Sequence, residues 1–176
     1  MDFAKGYAEH LLRGQGNVPA SLILRAPEGI LIHPAVSLED VREKDRWADL
    51  ARIICVGTEA SQAVLVFEGW GLTGREAKQH DPDEDISERH DRQEVLLVMG
   101  ESHSEKATRW YPMIRMGNGK FFGLGEDVAK DLRQKEATGR FTRILPDKIA
   151  PPKIVALARL AMQLQGLEVR PLQCTK

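Results

Sequence analysis

Two runs in this chain, Ala63-Val64-Leu65-Val66-Phe67 and Val95-Leu96-Leu97-Val98-Met99, are apolar without alternation. A strand with one wet face alternates polar and apolar residues, whereas a strand covered on both faces does not. Both runs are therefore expected inside a sheet, and the rest of the chain must supply its partners and its cover. The length, 176 residues, suits one α/β domain spanning 1–176. A core of that size removes roughly 70% of the unfolded surface from water.

The remaining elements follow from periodicity and from turn residues. Phe3, Tyr7 and Leu11 recur every fourth residue over Asp2–Leu12, which reads as a short helix ended by Gly14, Gly16 and Asn17. Ser21–Arg25 and Gly29–His33 flank Ala26-Pro27-Glu28 and read as a hairpin. Ser37 is a suitable N-cap for a helix to about Val56, with Val41, Trp47, Ala48, Ala51, Ile54 and Cys55 on one face and Gly57 as its stop. Asn118-Gly119 between Arg109–Met116 and Phe121–Leu124 is a strong hairpin signal. Asp127–Glu136 reads as a polar surface helix. Pro151-Pro152 opens a last helix, with Ile154, Leu157, Ala158, Ala161 and Leu164 as its apolar face and Gly166 as its end. The expected fold is α+β: a five- to six-stranded, mostly antiparallel sheet in a single domain, with helices packed mainly on one face. Residues 71–92 form a long polar loop, and loops of that length inside a compact domain usually carry function.

The chemistry-bearing residues gather around that loop. Glu68 and Trp70 stand at the end of one core strand, and Ser87-Glu88-Arg89-His90-Asp91-Arg92-Gln93-Glu94 leads into the next. If the two strands are neighbours, these groups meet. His90 beside Glu68 or Asp91 would then serve as an oriented base, and Arg89 or Arg92 would hold a carboxylate or phosphate in a bidentate fork. The structural reading is a latch in which Arg92 pairs with Glu68 or Glu94 and pins the loop. It is favoured, because no nucleophile accompanies the cluster. Ser87, His90 and Asp91 complete the candidate set with Glu68, Trp70, Arg92 and Glu94.

Several function classes are set aside. His80, Asp81, Asp83, Asp85, His90 and Asp91 are metal-ligand types, but their spacing matches neither an EF-hand nor an H-E-x-x-H helix. A solvated acidic loop is the simpler reading, so no metal and no cofactor is expected. Gly69, Gly71 and Gly74 spell G-x-G-x-x-G, yet Asp81-Pro82 interrupts the helix that a dinucleotide site needs. His10, His33 and His103 are isolated. With 25 basic and 26 acidic residues the net charge is -1. The charges interleave, as in Arg42-Glu43-Lys44-Asp45-Arg46, which disfavours a nucleic-acid partner. No apolar run approaches a membrane span, and Met1–Lys5 carries an early acid rather than a secretory signal. Cys55 reads as a small buried hydrophobe and Cys174 as part of a loose tail, in keeping with a reducing cytoplasm. Edge strands at the hairpins would allow a homodimer without requiring one.

Val66-Phe67-Glu68-x-Trp70 and, after a polar loop, Ser87-Glu88-x-x-Asp91-Arg92-Gln93-Glu94-Val95 resemble a family of hypothetical proteins of bacteria and their phages, to which no activity is assigned. The resemblance covers residues 66–95. Aligned without gaps, Arg89 falls at the family's His and His90 at its Pro. The resemblance thus implies a shared constellation of Glu68, Trp70, Asp91, Arg92 and Glu94, better suited to a latch or an anion grip than to hydrolysis. The expected function is that of a cytoplasmic binding or accessory protein of phage or prophage type, with another protein as the partner. The alternative is a metal-assisted hydrolase acting on a phosphate-containing substrate through Glu68, His90 and Asp91. The residues themselves do not decide between enzyme and binder.

Overall fold

A computed structural model describes residues 1–35, 38, 40–72, 88–131 and 141–167. Ser37, Ser87, His80, Asp81, Asp83, Asp85, Cys174 and the end of the helix expected over Asp127–Glu136 lie outside the described residues, as does most of the polar loop.

The described elements run α1 (Asp2–Gln15), β1 (Ser21–Ala26), β2 (Gly29–Pro34), α2 (Val41–Gly57), β3 (Gln62–Gly71), β4 (Gln93–Ser102), β5 (Lys106–Arg115), β6 (Phe121–Leu124) and α3 (Pro152–Leu164), with a 3-10 turn at Val128–Asp131. The six strands form one sheet in the order β2-β1-β3-β4-β5-β6, with every neighbouring pair antiparallel. This is the α+β architecture expected. The two apolar runs are its central pair, β3 and β4, held in register from Gln62↔Ser102 to Gly71↔Gln93.

Both hairpins form. Ala26 pairs with Gly29 across Pro27-Glu28, and Gly29 takes a φ of 127 that suits glycine alone. The Asn118-Gly119 turn closes β5 on β6, but not as a two-residue primed turn. Met116 N–H donates to Lys120 O at 2.8 Å, and of the two turn residues only Gly119 is left-handed, at φ 78. Asn118 acts through its side chain, which accepts from Lys120 N at 3.1 Å.

Alternation along the strands divides the interior in two. On one face Leu22, Leu24, Ala63 and Leu65 pack with Trp47, Ala51, Ile54 and Cys55 of α2 and with Met162 of α3. On the other, Ile23, Val66, Leu96, Val98, Tyr111 and Met113 pack with Ala4, Ala8 and Leu12 of α1. Two helices therefore share one face and α1 covers part of the other.

Four local expectations change. In α1 the residues in closest contact are Ala4, Ala8 and Leu12, while Phe3 is half exposed, because small side chains let the helix approach the sheet. The N-cap of α2 is Asp40, whose carboxylate accepts from Glu43 N at 2.7 Å. Gly57 does not stop α2 but lies inside its last turn. The end falls at Thr58, whose hydroxyl donates to Ile54 O at 2.7 Å, and Glu59 follows at φ 51. In α3, Val155 and Met162 are the buried residues; of the face expected to be buried, Ile154, Leu157 and Leu164 point outward, while Ala158 lies beside Gly57 of α2. Among the described residues no helix is long and apolar enough to cross a membrane.

Candidate functional site

Glu68 and Trp70 lie in the last four residues of β3, at the strand end expected for them. The register sets Glu68 opposite Leu96 and Trp70 opposite Glu94. Even-numbered residues of both strands share the α1 face with Val66, Leu96 and Val98. Glu68, Trp70 and Glu94 therefore lie together on that face, where the sheet extends past the end of α1. Gly69 points the other way. A Cβ there would meet Leu97 Cδ1 at 2.9 Å, so glycine is what lets Leu97 lie across β3.

The cluster contains a latch, built from a cation outside the candidate set read from the sequence. Arg115 holds Glu94 through two parallel bonds, Nε to Oε2 at 2.6 Å and Nη2 to Oε1 at 2.9 Å. Its Nη1 also reaches Gly16 O at 3.5 Å and Gly119 O at 3.4 Å. One guanidinium thus joins β4, the end of α1 and the β5–β6 turn. Pairing with Glu94 raises the already high Arg115 value further. Tyr111 and Met113 are buried on the α1 face, and the period of two carries that face on to Arg115. That was the legible signal.

Glu68 accepts a hydrogen bond from Val18 N, in the segment between α1 and β1. Burial raises its carboxyl above the ordinary glutamate range and Glu94 adds to the rise, while the Val18 amide and Arg115 oppose it. Glu68 is thus a half-buried carboxyl bound to the backbone, its value raised mainly by burial.

Arg92 pairs with neither Glu68 nor Glu94 among the described residues. Its guanidinium lies over the Trp70 ring, 4.4 Å from the centroid. Trp70 is 45% exposed despite its place in a central strand. Asp91 does not join the cluster either. Arg89 grips it through Nε at 2.8 Å and Nη2 at 2.7 Å, which lowers its carboxyl below the ordinary range. His90 is exposed in the same turn. The structure therefore brings together Glu68, Trp70, Arg92, Glu94 and Arg115, and leaves His90 and Asp91 beside them in solvent.

No three His, Cys, Asp or Glu side chains converge to hold a metal ion among the described residues. A shallow cleft of about 280 Å³ lies elsewhere, between β2, α2 and α3, lined by Glu28, Thr58, Arg159 and Met162 among others. Its guanidinium is already engaged, with Arg159 Nε donating to Gly57 O at 2.8 Å and Nη2 to Glu59 at 2.7 Å. Burial pushes the Cys55 thiol up to about 12, which leaves it without thiolate chemistry. The chemically distinctive surface is thus the one at Trp70. Comparison with protein-family models, with curated proteins and with solved structures finds no match for this chain.

Proposed function

We propose that the chain is a cytoplasmic binding protein that takes hold of a carboxylate-bearing segment of another protein at Trp70 and Arg92. The observation that carries this reading is the exposed contact of the two side chains, with the Arg92 guanidinium over the Trp70 ring. A guanidinium over the face of an aromatic ring makes that contact without spending its N–H groups on a carboxylate, which leaves donors for a planar anion. Among the described residues the Arg92 fork meets no acceptor. Tryptophan and arginine are also the residues most enriched at interface hot spots. The Glu94–Arg115 pair behind this contact is mutually neutralised, so it braces the surface rather than competing for the ligand. An accessory role in a bacterial or phage setting follows from the resemblance of residues 66–95 and stands on that alone.

The hydrolase alternative draws support from Glu68, whose raised value suits proton transfer. It draws none from Asp91 and Glu94, each already held by an arginine.

The test compares wild-type chain with Trp70→Ala, Arg92→Ala and Arg92→Lys in affinity capture followed by direct titration of the captured protein. Binding should be lost in the two alanine variants and weakened in the lysine variant, which keeps the charge but not the fork. Equal binding by all four overturns the proposal. Metal-dependent cleavage of a phosphate ester that Glu68→Gln abolishes would establish the alternative instead.

A further inference from the structure

α3 is apolar nearly all round. Its sequence, Pro-Lys-Ile-Val-Ala-Leu-Ala-Arg-Leu-Ala-Met-Gln-Leu, has Lys153 and Arg159 as its only charges. Val155 and Met162 turn inward to α2, where Met162 packs on Gly57 so closely that a Cβ there would clash with its sulfur. The outward face keeps Ile154 48%, Leu157 62%, Leu160 51% and Leu164 80% exposed, and Ile149 just ahead of the helix is 81% exposed. Such a row of large aliphatic residues on a folded surface calls for a cover.

We propose that this face is an interface with a second copy of the chain, the two α3 helices packing antiparallel about a two-fold axis. Three features fit that occupant. First, Ile154, Leu157, Ala161 and Leu164 are spaced three, four and three apart, which is the spacing of a coiled-coil seam. Thirteen residues give a seam about 20 Å long.

Second, the area is sufficient. The five exposed side chains present on the order of 500 Å² of apolar surface, at the upper end of what monomers show. That approaches the apolar share of one side of a standard interface of about 800 Å² per partner.

Third, the charges complement themselves only when the copies run in opposite directions. α3 has no acid in its first turn and no base in its last, and Lys153 sits at its N-terminus, where its own dipole disfavours a cation. In an antiparallel pair each Lys153 lies beside the partner's helix C-terminus, where a cation is favoured. The sheet edges offer a poorer interface. β6 has four residues and β2 ends in Pro34, both of which limit strand addition. The α3 face lies across the sheet from Trp70, so self-association leaves that surface free.

Sedimentation equilibrium of the full chain, from low to high micromolar, tests the proposal. The expected mass is twice 19.7 kDa. Leu157→Glu with Leu164→Glu should give a monomer with an unchanged circular-dichroism spectrum, because both side chains are exposed in the single chain. Lys153→Glu should weaken the dimer roughly threefold to tenfold, because each copy then places an acid where the partner's helix C-terminus favours a cation. A wild-type mass of 19.7 kDa at every concentration overturns the proposal. So does a dimer that survives the double substitution, or a monomer that instead floats with phosphatidylcholine–phosphatidylglycerol vesicles. A dimer indifferent to Lys153→Glu rejects the antiparallel arrangement.

Discussion

Arg115 and Arg92 stand at the same end of the sheet in different surroundings. Arg115 is about three-quarters buried at its side chain and makes two bonds to Glu94 as well as reaching two backbone carbonyls. Arg92 is exposed and rests on a ring. Hydrogen bonds to a charged group contribute about 1.5–3 kcal/mol, whereas an exposed cation–π contact contributes about 0.5–1 kcal/mol. Urea denaturation should therefore show Arg115→Ala destabilised by about 2 kcal/mol and Arg92→Ala by less than about 1 kcal/mol; the reverse order would return the latch to Arg92. Glu68 allows a pH test. A carboxyl whose value is raised by folding binds its proton more tightly in the folded chain. Its ionised form then costs stability above that value, and stability returns as pH falls toward the ordinary glutamate range. Glu68→Gln cannot titrate, so its stability relative to wild type should decline between pH 7 and about pH 4.5. A difference that stays level would show that Glu68 ionises as it does in the unfolded chain.

Among the elements, α2 shows how a cap is chosen. Ser37 and Asp40 are both capping types in the sequence, and the register of Trp47, Ala51, Ile54 and Cys55 against the sheet fixes where the first turn must lie. Asp40 then meets the Glu43 amide. Asp40→Ala should cost about 1 kcal/mol, read as a lower midpoint in thermal or chemical denaturation; no change would mean that another group closes the turn. The strands were legible because a continuous apolar run or an Asn-Gly turn admits few arrangements. The inward face of α3 was not. Period 3.6 selects Ile154, Leu157, Ala158, Ala161 and Leu164 as one stripe, but Val155 and Met162, on the other side of Ala158, make another almost as apolar. Only the position of Gly57 on α2, where Met162 fits, decides between them. The site was read in half for a related reason. Glu68, Trp70, Arg92 and Glu94 are close in the β3–β4 register and could be grouped from the two apolar runs. Arg115 arrives from β5, and the period of two that sets it on the α1 face with Tyr111 and Met113 points to Glu94 only once β5 is placed beside β4.

At the scale of the molecule, the sheet carries two interiors on one set of strands. Leu22 and Leu24 of β1 face α2, and Ile23 between them faces α1; Leu65 and Val66 of β3 divide the same way. The strands cannot keep one face packed while the other melts, because a shift of one residue exchanges the faces. Folding should therefore be a single transition, although α1 and α2 lie on opposite sides of the sheet. Leu96, fully buried on the α1 side, tests this. Leu96→Ala should cost about 2–5 kcal/mol by transfer and cavity. In native-state hydrogen exchange the amide of Ile54, buried across the sheet in α2, should lose protection by the same free energy as the amides of β4. Equal losses would mark one cooperative unit. If Ile54 kept its wild-type protection while β4 lost its own, the α2–α3 side would be able to stand without α1, and the two interiors would be separate folding units joined by a shared sheet.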